Sequence, residues 1–206
     1  MALAESPRTM TLREALDNRL IRKIGKVWIP SLSLFLLVAA FSATKVWTVP
    51  LWVVVGVLYY SLLEYVLHRF HFHNGPYGPL VRKLTYDLSK MHIDHHRIPA
   101  HPKGAVNQQK PAFVVAWVSA LIALFLPIPY AISFAFIFGA AICYVGNDLI
   151  HFAVHHLPME RGILAYYKRH HMLHHYRDEN SNFATVLPLW DKLFGTEYKA
   201  PQRETA

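Results

Sequence analysis

The chain has 206 residues, of which 53% are hydrophobic, 14% aromatic and only 17% charged, and its formal net charge is +8. This composition excludes a disordered tail and a coiled coil, since neither is rich in aromatic side chains. The single cysteine, Cys143, excludes an intramolecular disulfide framework and a cysteine-rich metal site. The basic excess is compatible with nucleic acid, an anionic surface or membrane topology, and these three predict different positions for the basic residues.

The amino-terminal segment has no cleaved signal pattern, so we expect the mature chain itself to insert into a membrane. Thr11 and Glu14 fit a capping box, and apolar residues recur every fourth position from Leu12 to Ile24 among arginines and lysines. This pattern predicts an amphipathic basic helix on an anionic inner leaflet. The alternative is a solvated helix packed on the rest of the protein. We delimit residues 1–26 as this cytosolic segment.

Long uncharged runs predict membrane-spanning helices. Residues 27–44 and 46–63 are uncharged, and only Lys45 separates them. Each run has about the minimum length for a helix that crosses roughly 30 Å of hydrocarbon. A further uncharged stretch, residues 111–147, contains two prolines near its middle that interrupt a helix. The sequence therefore predicts four transmembrane helices in two hairpins. A soluble all-α core is the alternative, but 206 residues are too few to cover four nearly continuous apolar helices.

The basic residues indicate the orientation of these hairpins. Two hairpins place both termini and the central segment on one side, and 20 of the 21 lysines and arginines fall there, with Lys45 as the exception. Because cytoplasmic loops carry such an excess, this side is predicted to be cytoplasmic. The net charge then encodes topology, and we expect no nucleic-acid partner.

The 14 histidines are the second unusual feature of the composition. All but His101 belong to four clusters near the cytoplasmic ends of the predicted spans: His68-Arg-Phe-His71-Phe-His73, His92-Ile-Asp-His95-His96, Asp148-Leu-Ile-His151-Phe-Ala-Val-His155-His156 and His170-His171-Met-Leu-His174-His175. Helix positions i, i+3 and i+4 share a face, so His92, His95 and His96 are predicted to converge, as are His171, His174 and His175. Converging imidazoles are typical metal ligands, and their number suits two ions rather than one. Nitrogen ligands leave iron, zinc, copper and nickel open.

These boxes carry a family resemblance. Glu64-Tyr-Val-Leu-His68-Arg-Phe-His-Phe-His73, the three later histidine clusters and the final Trp190-Asp-Lys-Leu-Phe-Gly-Thr196 resemble the fatty acid hydroxylase/sterol desaturase superfamily, and most of all its fatty acid 2-hydroxylase branch. The resemblance covers about Leu62 to Tyr198. Together the boxes are highly specific, whereas any one of them alone is a weak signal.

The resemblance implies ten metal ligands: His68, His73, His92, His95, His96, His151, His155, His171, His174 and His175. His71, His101, His156 and His170 are expected not to bind metal, although His71 competes with His73 for the same role. Asp148 is similar to an acidic residue that the family keeps near its site, and it is expected to orient a ligand ring, as is Glu64.

The resemblance also implies a fold and an activity. We expect an all-α integral membrane protein whose catalytic domain, residues 27–198, ends in a tail at 199–206 and carries a cytosolic helical cap with a di-metal site. Iron is the expected metal, although the isolated protein can contain zinc in its place. O2 is the expected co-substrate. We expect no fused cytochrome-b5-type domain, and His101-Pro-Lys-Gly104 is interpreted as a loop. The electron donor is therefore expected to be a separate ferredoxin or cytochrome-type carrier with its reductase.

The predicted reaction is hydroxylation of a lipid acyl chain, at C2 of a fatty acid or sphingolipid. The bilayer supplies this substrate, in an inner or plasma membrane if the source is bacterial and in the endoplasmic reticulum if it is eukaryotic. Alternatives within the superfamily are a carotenoid or sterol hydroxylase and a desaturase. An alternative of another class is a membrane metal-binding or transport protein, which predicts histidines inside the spans.

Overall fold

The structure is a computed structural model that describes residues 9–73, 90–99 and 109–200. Over these ranges every regular element is helical, as the sequence predicts. In chain order the elements are α1 (Leu12–Asp17), α2 (Arg19–Phe41), α3 (Thr48–Val66) with a π-helical continuation (Leu67–His73), α4 (residues 90–97), α5 (Gln109–Ala123), α6 (Tyr130–His156), α7 (Gly162–Tyr176) and α8 (Leu189–Phe194). The predicted His101-Pro-Lys-Gly104 loop lies outside the described residues.

Three of these helices are long and apolar enough to cross a membrane. They are α2, α3 together with its π-helical continuation, and α6, with 23, 26 and 27 residues. They support an integral membrane protein. The breaks between helices fall where the sequence predicts them, around Lys45 and at Pro129, which directly precedes α6. Helix α5 has 15 residues and would extend only about 22 Å. The fourth crossing therefore stays a prediction.

Helices α3 and α6 approach each other closely enough to bring their backbones into contact. A Cβ atom built on Gly56 would lie 2.2 Å from the carbonyl oxygen of Phe136, and one on Gly139 would lie 2.1 Å from that of Val53. Only glycine allows this approach, and small residues at helix contacts are the usual basis of packing between membrane helices. The contact fixes the two helices whose ends carry the first and third histidine clusters.

The amino-terminal segment differs from the predicted single helix. The capping box of Thr11 and Glu14 is present, but α1 ends at Asp17, and Asn18 has an extended backbone and caps α2. The apolar residues from Leu12 to Ile24 therefore do not form one stripe. The Met10 N–H donates to the carbonyl of His156 at 2.7 Å and Ala15 is buried, so this segment packs on the rest of the protein. The boundaries of the predicted domains stay predictions.

Candidate metal centre

Ten histidines gather in two groups of five. In each group the histidines offer ring nitrogens that all lie within 4.8 Å of one another. Group A consists of His68, His73, His92, His96 and His174, and group B consists of His95, His151, His155, His171 and His175. These are the same ten histidines that the family resemblance implies as ligands. The structure brings all of them together, while their role as ligands stays a prediction.

Helices α4 and α7 each contribute to both groups. On α4, His92 and His96 belong to group A and His95 belongs to group B. The three were predicted to converge, but they divide between the two groups, because His95 is rotated by about 100° from His96 around the helix. The histidines of α7 divide in the same way, with His174 in group A and His171 and His175 in group B. Both helices therefore run between the two groups.

The π-helical continuation of α3 explains how His68 and His73 belong to one group. Residues five positions apart on an α-helix are about 140° apart around its axis and face different directions. A π-helix has hydrogen bonds from i to i+5, which returns such positions to nearly the same face. The two rings lie 5.1 Å apart between centroids. His71 is buried two residues earlier and belongs to neither group, so the placement favours His73.

The spacing between ring nitrogens fits a metal ion in each group. The Nε2–Nε2 distances are 3.1 Å for His68–His92, 2.9 Å for His73–His92 and 3.2 Å for His96–His174. In group B they are 3.0 Å for His95–His151, His95–His155, His155–His171 and His171–His175. Nitrogens about 2.1 Å from one ion are about 3.0 Å apart at a right angle and about 3.4 Å apart at the tetrahedral angle. The distances thus fit ring nitrogens that surround one ion in each group.

Two backbone carbonyls determine which nitrogen of group A is free. The Nδ1–H of His68 donates to the carbonyl of Phe183 at 2.5 Å, and that of His174 donates to the carbonyl of Ser181 at 2.7 Å. Each Nε2 atom therefore presents a lone pair to the centre of the group. Lone pairs this close repel one another unless a cation lies between them. The donor set consequently fits a metal ion, and each group contains nitrogen ligands alone.

Burial keeps the histidines that α4 and α7 contribute to the two groups neutral. Desolvation, reinforced by neighbouring histidines, lowers the pKa of His95 to about 3 and that of His96 to about 4. The same causes hold the pKa values of His92, His171, His174 and His175 below that of free imidazole. Because only neutral imidazole has a lone pair for a metal, these groups are ready to bind at neutral pH without first losing protons.

The two predicted acidic residues lie beside the groups. Glu64 is buried, with Oε1 3.7 Å from Nδ1 of His68, and it accepts from the N–H of Thr185 at 3.4 Å. The carbonyl of Phe183 is nearer to His68 and takes its hydrogen bond. Asp148 is fully buried and is hydrogen-bonded to Tyr144 on α6. That either carboxylate orients a ligand ring stays a prediction.

Sequence reasoning missed the part played by the C-terminal segment. It gave the motif from Trp190 to Thr196 no role beyond the resemblance, yet Asp191 is fully buried and accepts four hydrogen bonds. The donors are the N–H of Phe183 at 2.8 Å, the N–H of Ala184 at 2.9 Å, the hydroxyl of Thr196 at 2.8 Å and Nε2–H of His170 at 3.0 Å. The contact explains why His170 lies outside both groups. The sequence signal at this position was the motif from Trp190 to Thr196 itself.

An unusual backbone conformation lies between the two carbonyls that bind His68 and His174. Asn182 has a φ of 52°, in the left-handed region that asparagine tolerates better than most residues. Its side chain donates to the carbonyl of His170 at 2.9 Å and accepts from the N–H of Tyr198 at 2.7 Å. These bonds hold the turn in place, so the loop presents both carbonyls to group A.

An apolar cavity of about 480 Å³ leads to the histidines. It lies between α2, α3, α5 and α6 and is lined at one end by His68 and His92 of group A and by His151 of group B. Along α6 its lining extends from Phe136 to His151, a distance of about 22 Å at the usual rise per residue. The volume is typical of a site for a small molecule. Its elongated, apolar shape suits a hydrocarbon chain.

One polar side chain in this cavity has no partner for its acceptor. Asn147 is 4% exposed, lines the cavity one helical turn before His151, and its carboxamide oxygen accepts no hydrogen bond from the part of the chain that the structure describes. A buried polar atom without a partner costs about 1–3 kcal/mol. Such an atom is suited to binding a polar group of a ligand in the cavity.

Comparisons with known proteins identify a matching family profile and several similar proteins. A family profile described as "Fatty acid hydroxylase" matches residues 53–196. The chain is 33% identical over 148 residues to "Ceramide very long chain fatty acid hydroxylase scs7" of Schizosaccharomyces pombe, and 30% identical over 175 residues to "Dihydroceramide fatty acyl 2-hydroxylase FAH2" of Arabidopsis thaliana. The matches cover 70% and 84% of this chain but 41% and 71% of those proteins.

A solved structure shows a similar fold. It is described as full-length scs7p with only the hydroxylase domain visible, and it has a TM-score of 0.72 and 26% sequence identity. The match covers 88% of this chain and 68% of that one. The similarity therefore extends over the helices that carry both histidine groups, and not over the boxes alone.

Proposed function

Because the chain belongs to the fatty acid hydroxylase family, we propose that it is a membrane di-metal oxygenase that hydroxylates a lipid acyl chain. The observation that carries this proposal is the cavity, which is apolar along its length and ends at histidines of both groups. A hydrocarbon chain gains about 0.8 kcal/mol for each methylene group that it buries there. The names of the relatives favour acyl-chain hydroxylation over the carotenoid, sterol and transport alternatives.

In this proposal each histidine group binds one ion. Group A and group B supply five neutral nitrogens each, and iron is the expected metal. Bound iron supplies the redox chemistry that inserts one oxygen atom of O2 into a C–H bond. The protein holds the ions, excludes water through the apolar lining of the cavity, and positions the carbon to be hydroxylated.

The proposed position of hydroxylation is C2, as in the Arabidopsis and mammalian relatives named 2-hydroxylases. C2 is bonded to the acyl carbonyl carbon, so hydroxylation there requires the polar end of the lipid to lie near the histidines. Asn147 lines this end of the cavity and supplies a carboxamide to that polar group. The substrate class is a fatty acid or the N-acyl chain of a sphingolipid.

The proposed topology places the histidine groups and both termini on the cytoplasmic side. Electrons then arrive from a separate carrier in the cytosol, of the ferredoxin or cytochrome type, with its reductase. Exposed basic residues near the groups, such as Arg97 on α4, complement an acidic carrier. Labelling of single cysteines introduced at Lys45 and at Arg97 tests the topology. We expect Lys45 to be labelled from outside and Arg97 from the cytosol, and the opposite pattern would contradict it.

Mass spectrometry of lipids tests the proposed activity. A host that expresses the chain is grown under isotopically labelled O2, beside the same host expressing His95→Ala. We expect a lipid that gains one labelled oxygen at C2 in the first host and not in the second. A desaturated product without labelled oxygen, or no change in any lipid, would contradict the proposal.

A further inference from the structure

The structure connects Asp191 to His68 through a single peptide group. The carbonyl of Phe183 accepts from Nδ1–H of His68, and the N–H of the same peptide, which belongs to Ala184, donates to Oδ2 of Asp191 at 2.9 Å. In a trans peptide the N–H and the C=O point in opposite directions within one rigid plane. The carboxylate and the imidazole therefore lie on opposite sides of one peptide group.

His174 has a similar connection that ends in a neutral group. The carbonyl of Ser181 accepts from Nδ1–H of His174, and the N–H of that peptide, from Asn182, donates to the backbone carbonyl of Thr196 at 2.8 Å. The N–H of Thr196 in turn donates to the carbonyl of Asp191 at 2.8 Å. Both connections lead into residues 191–196, but only the one to His68 ends in a charge.

We propose that Asp191 is a positioning residue that sets the orientation and donor strength of His68 through the peptide between Phe183 and Ala184. A histidine that donates its second N–H to a carboxylate is a stronger metal ligand and has a fixed ring orientation. Here a peptide is inserted between the two, and hydrogen bonds in a chain polarise one another. Because the N–H of this peptide donates to a carboxylate, the carbonyl of Phe183 is a stronger acceptor for His68 than a carbonyl of a peptide without such a partner.

The environment of Asp191 fits this role. Its two oxygens accept four hydrogen bonds, which is about the full capacity of a carboxylate. It is fully buried, so water does not screen its charge. Three rings of group B have no such connection, since the Nδ1 atoms of His95, His171 and His175 are buried and find no hydrogen-bond partner among the described residues. The effect of Asp191 is therefore specific to group A.

Asp191→Asn tests the inference in the purified full chain. The carboxamide has no negative charge and accepts only at its oxygen, so it cannot accept from both peptide N–H groups as the carboxylate does, and the polarisation of the Phe183 carbonyl is weakened. Two ions per chain are expected for the wild type. In the variant we expect the affinity for one ion to fall by about 10- to 100-fold, the usual effect of losing an outer hydrogen-bond partner, while the other ion is unchanged. Titration with a competing chelator, followed by metal analysis, measures both affinities.

Asp178→Asn is the matched control. Asp178 is exposed at the start of the loop that contains Phe183. Its Oδ1 accepts from the N–H of Asn180 at 3.0 Å, and the oxygen of an asparagine can accept the same bond. We expect both affinities to stay at the wild-type values in this control. Equal losses at both ions, or no loss at either, in Asp191→Asn would overturn the inference, because a merely structural role would not select one ion.

A second pair of variants covers the case in which Asp191→Asn does not fold. Thr196→Val removes the hydroxyl that donates to Asp191, whereas Thr196→Ser keeps it. We expect a loss of a few-fold in the affinity for one ion with valine and none with serine, and equal affinities in the two would overturn the inference. The inference depends only on the metal-binding part of the proposed function. A wild-type chain without bound metal would refute that part, whereas unchanged binding in the variants would refute the inference alone.

Discussion

The two histidine groups contain the same number of histidines but are supported differently. Group A draws on the π-helical continuation of α3, and two of its rings donate to backbone carbonyls of the loop before α8. Group B is built from α4, α6 and α7, and three of its Nδ1 atoms are buried and lack partners within the described residues. Three rings of group B thus lack the backbone hydrogen bonds by which a distant segment of the chain helps to orient group A.

This difference predicts that the two ions respond differently to changes in the protein. Group A depends on contacts between residues more than a hundred positions apart, such as His68 and Phe183. Group B depends on rings one turn apart on the same helix, such as His151 and His155. A change at the C-terminal segment is therefore expected to affect one ion, and a change in the packing of α6 the other.

Removing one ligand from each group has the largest expected effect. His174→Ala and His95→Ala delete a buried ligand from group A and from group B, and each is expected to lower activity by more than about 100-fold, beyond the usual effect of losing only an outer partner. Metal analysis should find one ion in each variant, while membrane insertion is unchanged. Full activity with both ions bound in either purified variant would contradict the ligand assignment.

Chelation distinguishes the groups by their exposure. Three rings of group A, those of His73, His92 and His96, are only partly buried, whereas group B has two such rings, those of His151 and His175. We expect a chelator to remove one ion faster than the other, with the faster phase from group A. Metal content against time measures this, and His174→Ala should lack the fast phase. One common rate for both ions, or a fast phase that persists in that variant, would contradict the comparison.

Asn147→Leu is expected to change where the substrate is oxidised rather than the metal content. Loss of the carboxamide removes a polar contact at the histidine end of the cavity, so we expect about a tenfold fall in kcat/KM for 2-hydroxylation, or roughly 1.4 kcal/mol. Some hydroxylation is expected to move to neighbouring carbons, as product analysis would reveal. Ser119→Ala, elsewhere in the cavity lining, is the control. An unchanged product profile in Asn147→Leu would exclude this contact.

The smallest effect is expected for the link between the C-terminal segment and α3. Nε1–H of Trp190 donates to the hydroxyl of Ser61 at 3.1 Å. Ser61→Ala leaves this donor without its acceptor, at a cost of about 1 kcal/mol. We expect a fall of a few-fold at most in the affinity of group A, and none in that of group B, in the same chelator titration. A loss of affinity that is larger at group B than at group A would contradict the comparison.

Much of this site could be predicted from sequence because its signals are local. The four histidine boxes are visible from helical spacing, the resemblance to a known family singles out the ten histidines that the structure brings together, and the breaks between helices follow from Lys45 and the prolines. The ion that each histidine serves could not be predicted. It depends on how α4 lies between the groups, and on a π-helical segment that brings His68 and His73 onto one face.

Other features were hidden because they exist only in the folded chain. The predicted amino-terminal helix is broken at Asn18, whose side chain caps the next helix, and periodicity alone does not reveal such a cap. The connection from Asp191 to His68 passes through the peptide between Phe183 and Ala184, so no pair of side chains in the sequence indicates it. Backbone carbonyls have no sequence signature, and their contribution to a site is visible only in three dimensions.

Anomalous scattering at the iron edge from crystals of the full-length, iron-loaded chain tests the central claim most directly. The account predicts two iron peaks, one surrounded by His68, His73, His92, His96 and His174 and the other by His95, His151, His155, His171 and His175. A single peak, or a peak with ligands drawn from both groups, would contradict it.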